Sequence, residues 1–283
     1  MIPSQTAPTD IQHGLAVYAA GQGDPLLLMP YPHGFMVSPM VAGALSASLQ
    51  ELGYQVISFD PPGMFSTTRE ARITMDEMLG CAKETLDFFG VQDAVKLFGH
   101  SMGGMVAIGF ALEHPDRVAS LALFASLSGG PAITRHRGVP LSLSWTGADF
   151  WRLLTWGARL MYGRGSLALH KKMLNLLYRN SYADHHQVPQ VEIYAGDSHQ
   201  PAPVRDRWPA AALRIDYRAR LGELRVPTLV GVGRHDPQTP VACSEELAGG
   251  IPGARLVIFE HSSHNLFEEE PEQFRQALSE FGW

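Results

Sequence analysis

Three residue types, a serine between glycines, an aspartate after an apolar run and a histidine in a late polar loop, are the parts from which acyl-transfer chemistry is assembled. Ser101 is the centre of Gly99-His100-Ser101-Met102-Gly103, directly after the apolar run 95–98 and directly before the helix-like stretch 105–113. A strand, a sharp turn and a helix in that order lift a hydroxyl clear of the strand end, and the flanking glycines let the backbone turn without Cβ clashes. The five-residue pattern alone is only moderately specific. Its weight comes from the strand before it, the helix after it, and an acid and then a histidine further along.

The acid candidate is Asp236, which closes Gly231-Val232-Gly233-Arg234-His235-Asp236 after an apolar strand. A carboxylate at a strand's C-terminal end can orient an imidazole and stabilise it once protonated. The plainer alternative is a turn aspartate ahead of Pro237. The base candidate is His264, in Glu260-His261-Ser262-Ser263-His264-Asn265, with His261 as its competitor nearer the strand end. An imidazole there takes the serine proton during attack and returns it to the leaving group. Backbone N–H groups must meet the negative charge that develops on the carbonyl oxygen. Met102 N–H is the first such donor, and the loop Pro30-Tyr31-Pro32-His33-Gly34-Phe35 is the source of the second. His100 is expected to be a packed turn residue, since one base suffices.

These residues need a scaffold that brings strand ends together. Strands are expected at 15–20, 25–29, 55–59, 95–98, 118–124, 227–232 and 255–259, and helices at 74–89, around 243–248 and at 271–281. Strands alternating with helices imply a mostly parallel sheet buried on both faces. The alternation stops after Phe124: 129–215 is Trp-rich and helix-like, with helical stretches at 150–162 and 168–180. That segment holds eleven Lys or Arg against five Asp or Glu, while the whole chain carries a net charge of −6. It also holds Trp145, Trp151, Trp156 and Trp208, four of the five tryptophans. The expected organisation is a core of 1–128 and 216–283 with 129–215 inserted.

Composition excludes several function classes. The 283 residues are 45% hydrophobic and 18% charged, an ordinary globular balance. The acidic net charge argues against a nucleic-acid partner. No apolar run reaches membrane-spanning length and the N-terminus lacks an export signal, so the expected location is cytoplasmic. The 150–162 stretch could suggest a lipid-surface helix, but a helix buried against the core explains it more simply. Cys81 and Cys243 fall in separate predicted helices, with neither disulfide nor zinc spacing. His170, His185, His186 and His199 lack partners at metal-ligand spacing. No metal or organic cofactor is expected, the partner is a small-molecule substrate, and the sequence leaves oligomeric state open.

The chain resembles the α/β-hydrolase superfamily along nearly its whole length. Gly99-His100-Ser101-Met102-Gly103-Gly104 is similar to that superfamily's nucleophile elbow, and Asp60-Pro61-Pro62-Gly63 to its Asp-x-x-Gly turn. Asp236 falls in its acid loop, and His264-Asn265-Leu266-Phe267-Glu268-Glu269-Glu270-Pro271-Glu272 resembles the lidded branch of proline iminopeptidases and related esterases. The resemblance implies an α/β-hydrolase fold, a doubly wound, mostly parallel sheet, with 129–215 as its helical lid or cap. It implies a serine hydrolase with a Ser101, His264 and Asp236 triad acting through an acyl-enzyme. Small carboxylic esters or lactones are the leading substrates. An iminopeptidase-like aminopeptidase, a carbon–carbon bond hydrolase and a non-catalytic binder on the same scaffold are the alternatives. In the superfamily a His-Gly pair directly follows its strand, whereas here Pro30-Tyr31-Pro32 intervenes, and Pro32 has no N–H to give. Phe35 N–H is therefore the second oxyanion donor expected, with Tyr31 as the alternative. His33, Tyr31, Trp151 and Trp156 are the candidates for substrate contact. The positive excess of the insertion raises the idea that Arg135, Arg152, Arg159 or Arg179 faces the pocket and favours acidic substrates.

Overall fold

The apolar runs become eight strands: β1 (Asp10–Gln12), β2 (Leu15–Ala20), β3 (Asp24–Leu28), β4 (Tyr54–Phe59), β5 (Val95–His100), β6 (Val118–Phe124), β7 (Thr228–Gly233) and β8 (Arg255–Phe259). The helices are α1 (Ala44–Glu51), α2 (Met75–Phe88), α3 (Met102–Glu113), α4 (Gly130–Arg135), α5 (Val241–Gly250), α6 (Leu266–Glu269) and α7 (Pro271–Glu280). The computed structural model describes residues 8–31, 43–64, 66–69, 72, 74–136, 151–152, 154–156, 181–183, 211 and 214–283. The expected helical stretch 168–180 and most of 150–162 lie outside them.

All eight strands form one sheet in the order β1-β2-β4-β3-β5-β6-β7-β8. The β1–β2 and β2–β4 pairs are antiparallel and every other pair is parallel, which meets the expectation of a mostly parallel sheet. β2 and β3 are consecutive in the chain, yet β4 lies between them, pairing with β2 on one edge and β3 on the other. From β3 the chain steps outward to β4 and then returns to β5 on the opposite side. The C-terminal ends of β3 and β5 thus flank a topological switch point, the place at which open α/β sheets bind their ligands.

Side chains alternate across each strand, so one run supplies both faces. Leu27, Ile57, Leu97, Leu121, Leu123 and Val230 pack beneath α2 and α3. Leu26, Leu28, Val56, Phe98, Phe124, Leu229 and Phe259 pack on the other face with Leu45 and Leu49 of α1, Leu266 of α6 and Phe274 of α7. Helix α2 buries Met78, Leu79, Ala82 and Leu86 of the stripe read from the sequence, and Thr74 caps its start by accepting the Glu77 N–H. Helix α3 is buried from Gly103 to Ala111, as a helix apolar all round must be. Gly104 lets it close on the sheet, since a Cβ there would lie 2.0 Å from Ser126 Oγ.

The sequence reading overlooked β1, α1 and α4, and it ran 267–271 straight into the last helix. Pro271 separates α6 from α7, because a proline pushes the preceding residue out of helical geometry; Glu270 sits at φ −129°, ψ 59°.

Residues 129 and 216 meet in a backbone bridge beside the ends of β6 and β7. Gly129 pairs with Asp216, Gly130 N–H donates to the Ile215 carbonyl at 2.9 Å, and Tyr217 N–H donates to the Ser128 carbonyl at 2.7 Å. Gly129 has φ 153°, and a Cβ there would stand 2.2 Å from the Ile215 carbonyl oxygen. Just beyond the bridge, Arg135 donates to Glu246 of α5 through Nη2 at 2.8 Å and Nε at 3.1 Å, and His136 Nε2 lies 2.8 Å from the same carboxylate. Ser128 Oγ also donates to Glu246. Burial works against the Glu246 charge, but the bonds from Arg135, Ser128 and His136 prevail and bring the carboxyl down to about 2.

Two consequences are measurable. Gly104→Ala drives a methyl into Ser126 and should lower unfolding free energy by about 2–3 kcal/mol in a denaturant titration. Glu246 contributes stability that is complete above its unfolded value, near 4.5, and is lost as pH falls through about 2. Glu246→Gln should therefore cost about 2 kcal/mol at pH 7 and shrink the difference from wild type as pH drops below 4, read from unfolding midpoints across pH.

Candidate active site

Ser101 is the residue between the end of β5 and the first turn of α3, and its backbone sits at φ 52°, ψ −129°. Left-handed φ is uncommon for a residue with a Cβ and costs on the order of 1–3 kcal/mol, so surrounding bonds must enforce it. They do: Ser101 N–H donates to the Phe124 carbonyl at 3.0 Å, and its carbonyl accepts from Gly104 N–H at 3.0 Å and Ser126 Oγ at 2.8 Å. Met102 is the first helical residue of α3, so its N–H has no carbonyl four residues back to bond. It carries the positive end of the helix beside the serine hydroxyl.

Asp236 follows β7 and His264 follows β8, and both turns fold back toward Ser101. His264 Nε2 is 2.9 Å from Ser101 Oγ, and His264 Nδ1 is 2.8 Å from Asp236 Oδ2. The carboxylate accepts from Nδ1–H, which leaves Nε2 free to accept the serine proton. Asp236 is 4% exposed and His264 5% exposed. Asp236 Oδ1 accepts from Gln238 N–H at 2.8 Å and Thr239 N–H at 3.0 Å, while Thr239 Oγ1 donates to Oδ2 at 2.6 Å. Burial pushes the carboxyl up, yet the facing His264 and the Thr239 bonds outweigh it and hold the group below its usual range. His261, the competing histidine, is exposed, and its backbone N–H donates to Glu270 at 3.1 Å.

The loop after β3 begins against this group. Tyr31 is buried, and its O–H lies 2.5 Å from His100 Nδ1. His100 Nε2 in turn lies 2.8 Å from the His264 carbonyl. Because a carbonyl only accepts, His100 carries its proton on Nε2 and Nδ1 accepts from Tyr31. The ring is 1% exposed and packs 4.8 Å from the His264 ring, so the packed turn residue also bonds two loops of the site.

Phe35 and His33 lie outside the described residues, as do Arg159 and Arg179. Trp151 is 62% exposed and Trp156 half-buried. Arg135 is engaged by Glu246 and, at 3.5 Å, by Asp216, so its charge is spent at the base of the insertion. Sequence reasoning overlooked Thr239, Gln238 and Ser126. The signal for the first two was present: an aspartate with a threonine three residues on is the spacing of a side chain that accepts from its own following turn. Among the described residues, no group of three or more His, Cys, Asp or Glu is arranged to hold a metal ion, and no helix is long and apolar enough to cross a membrane.

Comparison with known proteins places this geometry in context. Residues 31–271 match the model of the alpha/beta hydrolase fold family. The chain is 30% identical over 237 residues to a 2-hydroxy-6-oxononadienedioate/2-hydroxy-6-oxononatrienedioate hydrolase of Paraburkholderia phymatum, covering 81% of this chain and 76% of that one. Among solved structures it is similar to an alpha/beta fold family hydrolase of Bacillus anthracis, with TM-score 0.76, 18% identity and 94% and 95% of the two chains covered. An esterase of Exiguobacterium antarcticum gives TM-score 0.68 at 21% identity, with 94% of each chain covered.

The Asp236 cradle has a pH signature. A carboxyl held low adds stability that is present above its unfolded value, near 3.8, and is lost as pH falls through the folded value. Thr239→Val removes a donor to the charged form and should raise that folded value. The expected result is a loss of about 1–2 kcal/mol at pH 7 and an acid-unfolding midpoint at higher pH than wild type, followed by circular dichroism.

Proposed function

Since this chain belongs to the α/β-hydrolase fold family, we propose that it is a serine hydrolase in which Ser101 attacks a substrate carbonyl, His264 shuttles the proton and Asp236 holds the imidazole. The observation that carries this reading is the continuous hydrogen-bonded run from Ser101 Oγ through His264 to Asp236, 2.9 Å and 2.8 Å in its two links. As Oγ bonds to the carbonyl carbon, its proton passes to His264 Nε2, and Asp236 stabilises the imidazolium. The oxyanion is met by Met102 N–H and by a second N–H from the 31–35 loop, Phe35 being our choice and Tyr31 the alternative. Each such donor is worth about 3–4 kcal/mol in the transition state. His264 then protonates the leaving group, and water, activated by the same imidazole, releases the acyl-enzyme. We read 129–215 as a helical lid over the site, with Trp151, Trp156, His33 and Tyr31 as substrate contacts; the Gly129–Asp216 bridge supports those boundaries.

A small carboxylic ester or lactone is the leading substrate, because an alkoxide leaving group needs no more than the proton that His264 already carries. A second reading has its own support. The substrate named for the Paraburkholderia phymatum relative is a keto-enol dicarboxylate that contains no ester or amide linkage. A hydrolase of such a compound cuts a carbon–carbon bond, and its leaving group is a carbanion stabilised as an enolate. The same serine, histidine and oxyanion donors would serve that cleavage.

A fluorophosphonate probe should label Ser101 in wild type and fail to label Ser101→Ala, with the adduct located by mass spectrometry. A panel of p-nitrophenyl esters, lactones, aminoacyl amides and vinylogous 1,5-diketone acids then ranks the substrates. Ser101→Ala should lower kcat on the best of them by about 10⁶-fold. Labelling absent in folded wild-type protein would favour a binder over an enzyme, and turnover confined to the diketone acids would replace the ester reading with carbon–carbon cleavage.

A further inference from the structure

Ser181, Tyr182 and Ala183 reach from the 129–215 segment to the turns that carry both the acid and the base. The Ser181 carbonyl accepts the backbone N–H of His264 at 3.1 Å and of Asn265 at 3.2 Å. Its hydroxyl oxygen accepts from Gln238 Nε2 at 2.9 Å, two residues beyond Asp236. Tyr182 donates its O–H to Glu268, and Ala183 N–H donates to Glu269 Oε1 at 2.6 Å. The other oxygen of Glu269 accepts from Ser263 N–H at 2.7 Å, next to the base. Ser181 is 6% exposed and Tyr182 3% exposed, so water does not substitute for these bonds while they are made.

We propose that Ser181 is a positioning residue whose hydroxyl link to Gln238 ties the acid turn to the backbone that holds His264 and so sets the alignment of His264 with Ser101, a role that rests on the serine-hydrolase reading above. The backbone N–H of a buried residue needs an acceptor, and the direction of that bond fixes the plane of the peptide from which the imidazole projects. Here the acceptor belongs to neither the acid turn nor the base turn. Through its hydroxyl it also holds the Gln238 side chain of the acid turn, so Asp236 and His264 share one anchor supplied by a distant part of the chain. Glu268 and Glu269 secure that anchor from its far side. A shift of Ser181 by a few tenths of an ångström alters the Nε2–Oγ separation directly, whereas the helices and the sheet remain as they are. A filler serving only to satisfy buried N–H groups would have no reason to join both turns.

The test is a cycle of Ser181→Ala, Gln238→Ala and the double variant, which removes one hydrogen bond from either side. Each single variant should acylate with fluorophosphonate, and turn over p-nitrophenyl acetate, about five- to tenfold more slowly through kcat, with KM changed less than about twofold. The double variant should be no slower than either single one, and the acid limb of the pH–rate profile, which reports the base, should move in all three. Amide hydrogen exchange over 261–268 should quicken in each. Equal acylation rates and an unmoved pH profile in the variants would overturn the positioning role alone. Additive losses that track falling thermal midpoints would overturn it too, marking the bond as structural. Wild-type protein that is folded yet unlabelled at Ser101 would overturn the serine-hydrolase reading and this role with it.

Discussion

Ser101 stands in a backbone conformation that a residue with a Cβ leaves whenever it is allowed to, and much of this molecule acts to prevent that. The amide on one side is bonded to the Phe124 carbonyl at the end of the neighbouring strand, and the carbonyl on the other side is bonded by Ser126 and Gly104. Those partners are rigid because β5 lies in the interior of the sheet, with β3 and β6 on its edges and buried layers above and below. A strain of a few kcal/mol is small beside the burial of residues such as Phe98, Phe110 and Phe124, each contributing roughly 2 kcal/mol or more. The scaffold can therefore keep a hydroxyl in the open that a flexible loop would fold away.

The second requirement is electrostatic. Asp236 remains charged although it is almost without solvent, because three hydrogen bonds and a facing imidazole replace the water it has lost. A carboxylate so satisfied is a fixed negative pole, which is what an imidazole acting as a base would need beside it. His100 gives the arrangement a third wall. Its two ring nitrogens are both engaged, one by Tyr31 and one by the backbone of His264, so the ring next to Ser101 is held in a single tautomer.

Much of this was legible in the amino-acid order. The strand-turn-helix around Ser101 declares itself through a short apolar run, two glycines and an apolar helix. Seven of the eight strands are visible as apolar runs; those in the interior of the sheet are buried on both faces and have no polar side to interrupt them, and the edge strand β8 still carries Leu256, Val257, Ile258 and Phe259 in succession. β1 was missed since Asp10, Ile11 and Gln12 form a short edge with little burial to mark it. α1 was missed because its serine-rich run, 44–51, disguises the stripe of Leu45 and Leu49. At the site, Ser101, Asp236 and His264 could be read one at a time, and Thr239 by its spacing from Asp236, but the carbonyl of Ser181 and the ring of His100 act through contacts between segments more than fifty residues apart. No periodicity reports such contacts. The two strands expected first, β2 and β3, illustrate the same limit: their existence follows from composition, while the insertion of β4 between them follows from long-range pairing.

The paired backbone at Gly129 and Asp216 makes the stretch between them a closed excursion with both feet on one spot. Lengthening an excursion whose ends are already fastened adds little entropy cost, about 0.6 kcal/mol for each doubling. Apart from Ser181, Tyr182 and Ala183, which bond the turns of the site, residues can be added or removed there without pulling β6 away from β7. Pairing at the two ends, and not the number of residues between them, is what keeps β6 and β7 side by side.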